Sequence, residues 1–103
     1  MKGGIYKIIF PGDRTEDGVT VVYVGRSKSV LARWSRHRAS FRRGIHENSI
    51  LAGLYALHGN PQFLLVCRCP PDELNQREAE AISACMADTD VRCANIRMEE
   101  SSK

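Results

Sequence analysis

No run of about 18 consecutive apolar residues occurs in this chain, which excludes a membrane-spanning helix. The opening Met1-Lys2-Gly3-Gly4-Ile5 lacks the long apolar segment of a secretory signal. The sequence therefore reads as cytosolic (cytoplasmic), most simply from a bacterium or phage. Repeats, low-complexity tracts and interdomain linkers are missing as well. The 103 residues make one domain, with a core over about residues 3–97 and a polar tail over 98–103. Acidic residues are absent from Gly18 to His46. Zinc-ligand spacing is also lacking. Cys67 and Cys69 form only a Cys-x-Cys pair, Cys85 and Cys93 stand apart, and no well-placed His completes a set. In a reducing compartment the four cysteines behave as small hydrophobes.

The acid-free stretch holds seven bases: Arg26, Lys28, Arg33, Arg36, Arg38, Arg42 and Arg43. From Asp72 onward acids outnumber bases. A net charge of only +3 thus hides one strongly positive face, suited to a polyphosphate partner. A solvated helix face is the plainer reading of the same run.

Gly4–Phe10 is rich in Ile with Tyr and Phe, and Val19–Gly25 is a second β-branched run. The polar Pro11–Gly18 segment between them predicts an antiparallel hairpin with a long loop. Ser27 or Ser29 caps a helix reaching about Arg43, where Gly44 stops it. Asn48 or Ser49 opens a short helix through His58, ended by Gly59-Asn60-Pro61. Gln62–Arg68 predicts a third strand. Pro70-Pro71-Asp72 leads into a helix over Asp72–Met86. Asp88–Ile96 is irregular, with room for one short edge strand. The order β-β-α-α-β-α predicts an α+β fold, a small three-stranded antiparallel sheet flanked by helices.

Several side chains stand out against this frame. On the last helix, Leu74, Ala81, Ile82 and Cys85 form an apolar stripe, and Glu78 falls near its centre. A carboxylate there is costly unless paired or bound to a cation. A salt bridge, for instance to Arg33, is one answer. On the first helix, Val30, Trp34 and Phe41 share the face toward the sheet, with Arg33, Arg36, Ser40 and Arg43 as the adjoining stripe. His37 lies one turn beyond Arg33, so the two are side by side at the rim of that face. Tyr6 and Tyr23, one on each strand of the hairpin, can reach the same sheet face. Taken singly they are ordinary strand aromatics. His37 and His46 taken singly merely add to the positive face, and Tyr55 and His58 read as packing and capping residues.

Taken together and in order, Gly4-Ile5-Tyr6, Tyr23-Val24-Gly25, Arg33, Glu78 and Asn95 resemble the GIY-YIG nuclease family, over nearly the whole chain. Ala32-Arg33-Trp34-Ser35-Arg36-His37 resembles a Lys-Arg-Trp-Lys-Arg-His stretch of phage homing nucleases. Gly44-Ile45-His46 and His58-Gly59-Asn60 match further points in that branch, Arg77-Glu78 followed by Ile82 resembles the family's Glu-helix motif, and Ala94-Asn95-Ile96 resembles its Tyr-Asn-Ile. Val24 stands where the family name has Ile, and Ala94 where an aromatic is usual.

The resemblance implies a metal-dependent endonuclease that leaves a 5′-phosphate and a 3′-hydroxyl on DNA. Glu78 would bind one divalent ion, Mg2+ or else Mn2+. Arg33 would bind the scissile phosphate, a task for which its rigid fork is suited. Tyr6 or Tyr23 would accept the proton of the attacking water, helped by His37 or His46. Which tyrosine and which histidine serve stays open. Gly4, Gly25 and Asn95 would brace the site, while Arg26, Lys28, Arg36, Ser40 and Arg43 would hold nucleic acid, DNA before RNA. A nucleic-acid-binding module that does not cut is the alternative reading. Almost nothing lies outside the core to read sequence, so the enzyme would recognise DNA structure, act with low specificity or borrow a protein targeting partner. One metal site cuts one strand per event, and the oligomeric state is not legible.

Overall fold

Ile5, Tyr6, Ile8 and Phe10 are all buried, on alternating sides of one strand, because that strand is covered on both faces. It is β1, Gly4–Phe10. A computed structural model describes residues 3–46 and 48–95 of the chain, without the side chain of residue 14. The expected polar tail and the Ile96 of the last motif lie outside the described residues.

A loop containing a short 3-10 turn, Gly12–Arg14, leads to β2, Thr20–Ser27. Helix α1 spans Val30–Arg43, α2 spans Ser49–His58, and β3 spans Gln62–Arg68. A 3-10 turn at Pro71–Glu73 precedes α3, Leu74–Ala87, and β4 is Val91–Cys93. The sheet has four strands in the order β3-β1-β2-β4. β1 pairs antiparallel with β2 and β3, and β4 pairs parallel with β2. The α+β class holds, but the expected three-stranded antiparallel sheet is in fact a four-stranded mixed one. The extra strand falls where Asp88–Ile96 had room for one short edge strand; its parallel pairing with β2, which makes the sheet mixed, depends on a distant partner.

Two apolar clusters fill the two faces of the sheet. Tyr6, Ile8, Phe10 and Val21 pack with Val30, Phe41 and Leu51, under α1 and α2. Ile5, Val22 and Val24 pack with Leu74, Ile82 and Cys85, under α3. Adjacent residues of β2 therefore serve opposite sides, which later separates the parts of the site.

The helix boundaries have local causes. Gly44 adopts φ 71°, a left-handed conformation that ends α1, and the Gly44 and Ile45 N–H groups bond back to the carbonyls of Phe41 and Ser40. The Asn48 side chain accepts from Ile50 and Leu51 N–H at 3.0 and 3.1 Å and so caps α2. At the far end, Ala94 N–H donates to the Val22 carbonyl at 2.7 Å, extending the β2–β4 pairing. The Asn95 amide then accepts from Val24 N–H at 2.9 Å and donates to the Val24 carbonyl at 2.8 Å. One side chain thus supplies both bonds of a missing ladder rung. Among the described residues no helix is long and apolar enough to cross a membrane.

Two glycines give opposite expectations. A Cβ on Gly4 would run into the Cys67 carbonyl, a backbone atom that cannot swing aside. A Cβ on Gly53, inside α2, meets open space. Gly4→Ala should therefore lose about 1–3 kcal/mol of stability, and Gly53→Ala should gain about 0.5–1 kcal/mol. Chemical denaturation of the two variants checks both signs.

Candidate active site

The β1–β2 register sets Tyr6 opposite Gly25. A Cβ on Gly25 would collide with the Tyr6 phenol, so the ring lies directly over that glycine. The ring is buried at 1% exposure, and its oxygen meets His37 Nε2 at 2.8 Å. Tyr23, two residues before Gly25 on the same strand face, sets its ring edge-on to His37 at a centroid distance of 6.0 Å. The paired glycine-tyrosine elements thus bring both phenols to one imidazole.

His37 was expected at the rim of α1, yet it is buried at 4% exposure on the face that carries Val30 and Phe41. Its spacing, seven residues after Val30 and four before Phe41, is the signal that places it there. Its Nδ1 meets His46 Nε2 at 2.7 Å. His46 is itself buried at 9% exposure and stacks on Phe41 at 4.3 Å, with Phe41 stacked in turn on Tyr55. His46 Nδ1 accepts from the Asn48 backbone N–H at 3.1 Å, and the Asn48 side chain donates to the Ala94 carbonyl at 2.9 Å. Asn48 was read only as a helix cap; its contact with the histidine pair depends on a turn whose shape the letters do not give.

A cleft of about 70 Å³ opens beside the pair, lined by Arg33, Arg36, His37, Ser40, Ile45 and His46. The expected basic stripe of α1 therefore borders the buried histidines. Lys28, Arg36 and Arg43 are exposed, while Arg33 and Ser40 are half-buried. Arg38, part of the same basic run, is engaged otherwise: its guanidinium lies 4.6 Å from the Phe63 ring centroid.

Glu78 departs from the expectation of a deeply buried acid. Its side chain keeps 24% exposure, and its carboxylate lies 3.6 Å from the Arg26 guanidinium. The α3 stripe is apolar at Leu74, Ile82 and Cys85, but at Glu78 it meets a charged side chain near the end of β2. Arg26 directly follows Gly25 on β2, so the ion pair lies one residue along the strand from the glycine beneath Tyr6 and on the opposite face. Arg26 was expected to hold nucleic acid; here it serves as a countercharge. An ion pair this open to solvent adds about 0–1 kcal/mol. Among the described residues, no three His, Cys, Asp or Glu side chains gather as a ready metal cage.

Burial above all, then repulsion from His46, Arg33 and Arg36, lowers the His37 pKa to about 3. His37 is therefore neutral at physiological pH.

No family profile and no curated protein sequence matches this chain. Solved structures do. The chain is similar to the catalytic domain of the homing endonuclease I-TevI, with a TM-score of 0.71 and 26% identity, covering 92% of this chain and 100% of that domain. It is equally similar to a mutant of the same intron-endonuclease domain in which a glutamate is replaced by alanine, with a TM-score of 0.70 and 26% identity, covering 89% of this chain and 92% of that one. The resemblance to GIY-YIG nucleases read from short motifs therefore extends to the whole arrangement of strands and helices.

Two outcomes follow for the site. Gly25→Ala should push the Tyr6 ring off His37 and broaden or shift the His37 imidazole resonances; unchanged resonances would show the ring has room to spare. The second concerns acid. His37 has its ordinary value of 6.5 in the unfolded chain and about 3 in the folded one, so the unfolded chain binds more protons between these limits. Its contribution to stability is complete above about 6.5 and is lost as pH falls toward 3, by at most about 1.4 kcal/mol per pH unit. His37→Gln should flatten that part of the melting-temperature profile against pH.

Proposed function

We propose that this protein is a GIY-YIG-type endonuclease that hydrolyses DNA phosphodiester bonds, one strand per event. The observation that carries the reading is the Tyr6–His37 hydrogen bond at 2.8 Å beside a cleft lined by Arg33, Arg36 and Ser40. It joins a candidate proton acceptor to a candidate phosphate clamp, in a fold shared with an endonuclease catalytic domain.

In this mechanism Arg33 grips the scissile phosphate and offsets the charge that grows on it, an effect of roughly 10²–10³ in rate for one well-aimed donor. Arg36, Ser40, Arg43 and Lys28 hold the flanking backbone. Tyr6 takes the proton of the attacking water. A free phenol, with a pKa of about 10, is a weak base at neutral pH, so it needs the help that His37 gives its oxygen. Tyr23 is the second phenol at the same imidazole and fixes its tilt. Gly4, Gly25 and Asn95 hold the strands in register behind the site.

The donor set fits a magnesium-type ion. Glu78 presents one partly exposed carboxylate, and such an ion takes one or two carboxylates with water and phosphate oxygens. A closed zinc-like cage would need more ligands than gather among the described residues. Bound there, Mg2+ or Mn2+ would supply polarisation of the phosphate and charge for the leaving oxygen. DNA is the substrate in this reading, and a separate targeting protein is the natural source of site choice.

The test is nicking of supercoiled plasmid and of flapped and branched DNA with added Mg2+ or Mn2+. Wild type should nick. Arg33→Ala, Glu78→Ala and Tyr6→Phe should each fall by about 10²-fold or more. Glu78→Ala should keep its stability to within about 1 kcal/mol, since the pair it breaks is open to solvent. Salt-sensitive DNA binding with every substrate left intact would instead favour the non-cutting module.

A further inference from the structure

We infer that the Asn48 backbone N–H fixes the direction of the whole Tyr6–His37–His46 hydrogen-bond chain, so that His37 is a permanent donor to the Tyr6 oxygen and neither histidine carries the proton. For its catalytic consequence this rests on the nuclease reading above; for its chemistry it does not.

The direction follows from counting protons. A backbone N–H can only donate, so His46 Nδ1, at 3.1 Å from Asn48 N, is bare. A neutral imidazole has one N–H, which in His46 is then on Nε2. That hydrogen points at His37 Nδ1, 2.7 Å away, so His37 Nδ1 is bare too. The single proton of His37 is therefore on Nε2, facing the Tyr6 oxygen at 2.8 Å. Reversing the middle link would leave His46 with no proton on either nitrogen. Adding a proton to either ring would set two donors against each other. The chain runs one way, from backbone to phenol.

The surroundings agree. His37 is faced by Tyr6 from β1, Tyr23 from β2, His46 from the loop, and the cationic Arg33 and Arg36 of its own helix. All but the phenols oppose a positive imidazole. His46 is clamped between its hydrogen bonds and the Phe41 ring. Asn48 cannot drift, because its side chain caps α2 and also reaches the Ala94 carbonyl.

The consequence is a division of roles. A donor aimed at the phenol oxygen stabilises the phenolate over the phenol. Tyr6, as phenolate after losing its proton to solvent, takes a proton from water while the hydroxide oxygen bonds to phosphorus, the bond from phosphorus to the 3′ oxygen breaks, and that oxygen takes a proton from solvent. The proton stops on Tyr6 and does not pass into the histidines. His46 and Asn48 are positioning residues, and His46 acts as a fixed N–H donor.

The experiment has two arms. Two-bond ¹H–¹⁵N spectra of the free protein read tautomers directly, and the chain has only three histidines. Both His37 and His46 should show the Nε2–H pattern and stay neutral at a pH about one unit below the ordinary imidazole value of about 6.5. An Nδ1–H pattern or an imidazolium at either residue would overturn the inference. The second arm compares His46→Gln, whose amide N–H can replace the donor but cannot take up a proton, with His46→Leu. Gln should nick within about tenfold of wild type and Leu about 10²-fold or more below it. Equal losses in two folded variants would mean that His46 exchanges protons, against the proposal. If wild type cuts no DNA, the nuclease reading fails while the spectra still decide the direction of the chain.

Discussion

The phenol of Tyr6 lying on Gly25 is the contact on which the rest of this molecule depends. It exists only in the β1–β2 register that sets these two residues opposite each other. A slip of one residue would turn Tyr6 toward α3 and empty the polar cluster under α1. The missing side chain at residue 25 lets a bulky ring lie flat on the neighbouring strand, with its oxygen delivered to His37. A hairpin register, normally a matter of stability, here decides which hydrogen-bond partner the phenol oxygen meets.

β2 does double service. Its residues facing α1, Val21 and Tyr23, close the core around the imidazoles, while Val22, Val24 and Arg26 face α3 and Glu78. The acid and the phenols lie on opposite sides of the strand, about the step from Gly25 to Arg26. This explains how one short element can link two layers that share no apolar core. It also explains why Glu78 sits at a charged rim and not under the packed helix.

Much of this was written in local residue patterns. β1 and β3 fall on the residues that the β-branched runs mark, and Gly44 ends α1 where its left-handed conformation is needed. Alternation allows Tyr6 and Tyr23 to share one face, and the β1–β2 register makes them do so. What escaped depends on contacts far apart in the chain. The short edge strand that Asp88–Ile96 had room for is β4, but its parallel pairing with β2, which makes the sheet mixed, lies outside any local pattern. His37 and His46 look like surface bases until each is seen as the partner that makes the other's burial tolerable. Asn48 carries two signals in one residue; the cap is legible from Ser49-Ile50-Leu51, whereas the hydrogen bond to His46 requires the turn itself. Glu78 stands out locally by its misfit with an apolar stripe, whereas its pairing with Arg26 at the end of β2 depends on the packing of α3 against the sheet.

Asn95 has a further effect at the margin of the sheet. Past Val22, no strand among the described residues pairs with the outer side of β2, and an open strand margin with free N–H and C=O groups is a template for a foreign chain. The carboxamide of Asn95 occupies both such groups of Val24. It acts as a plug, closing this stretch of the margin to intermolecular strand addition with one side chain in place of a strand.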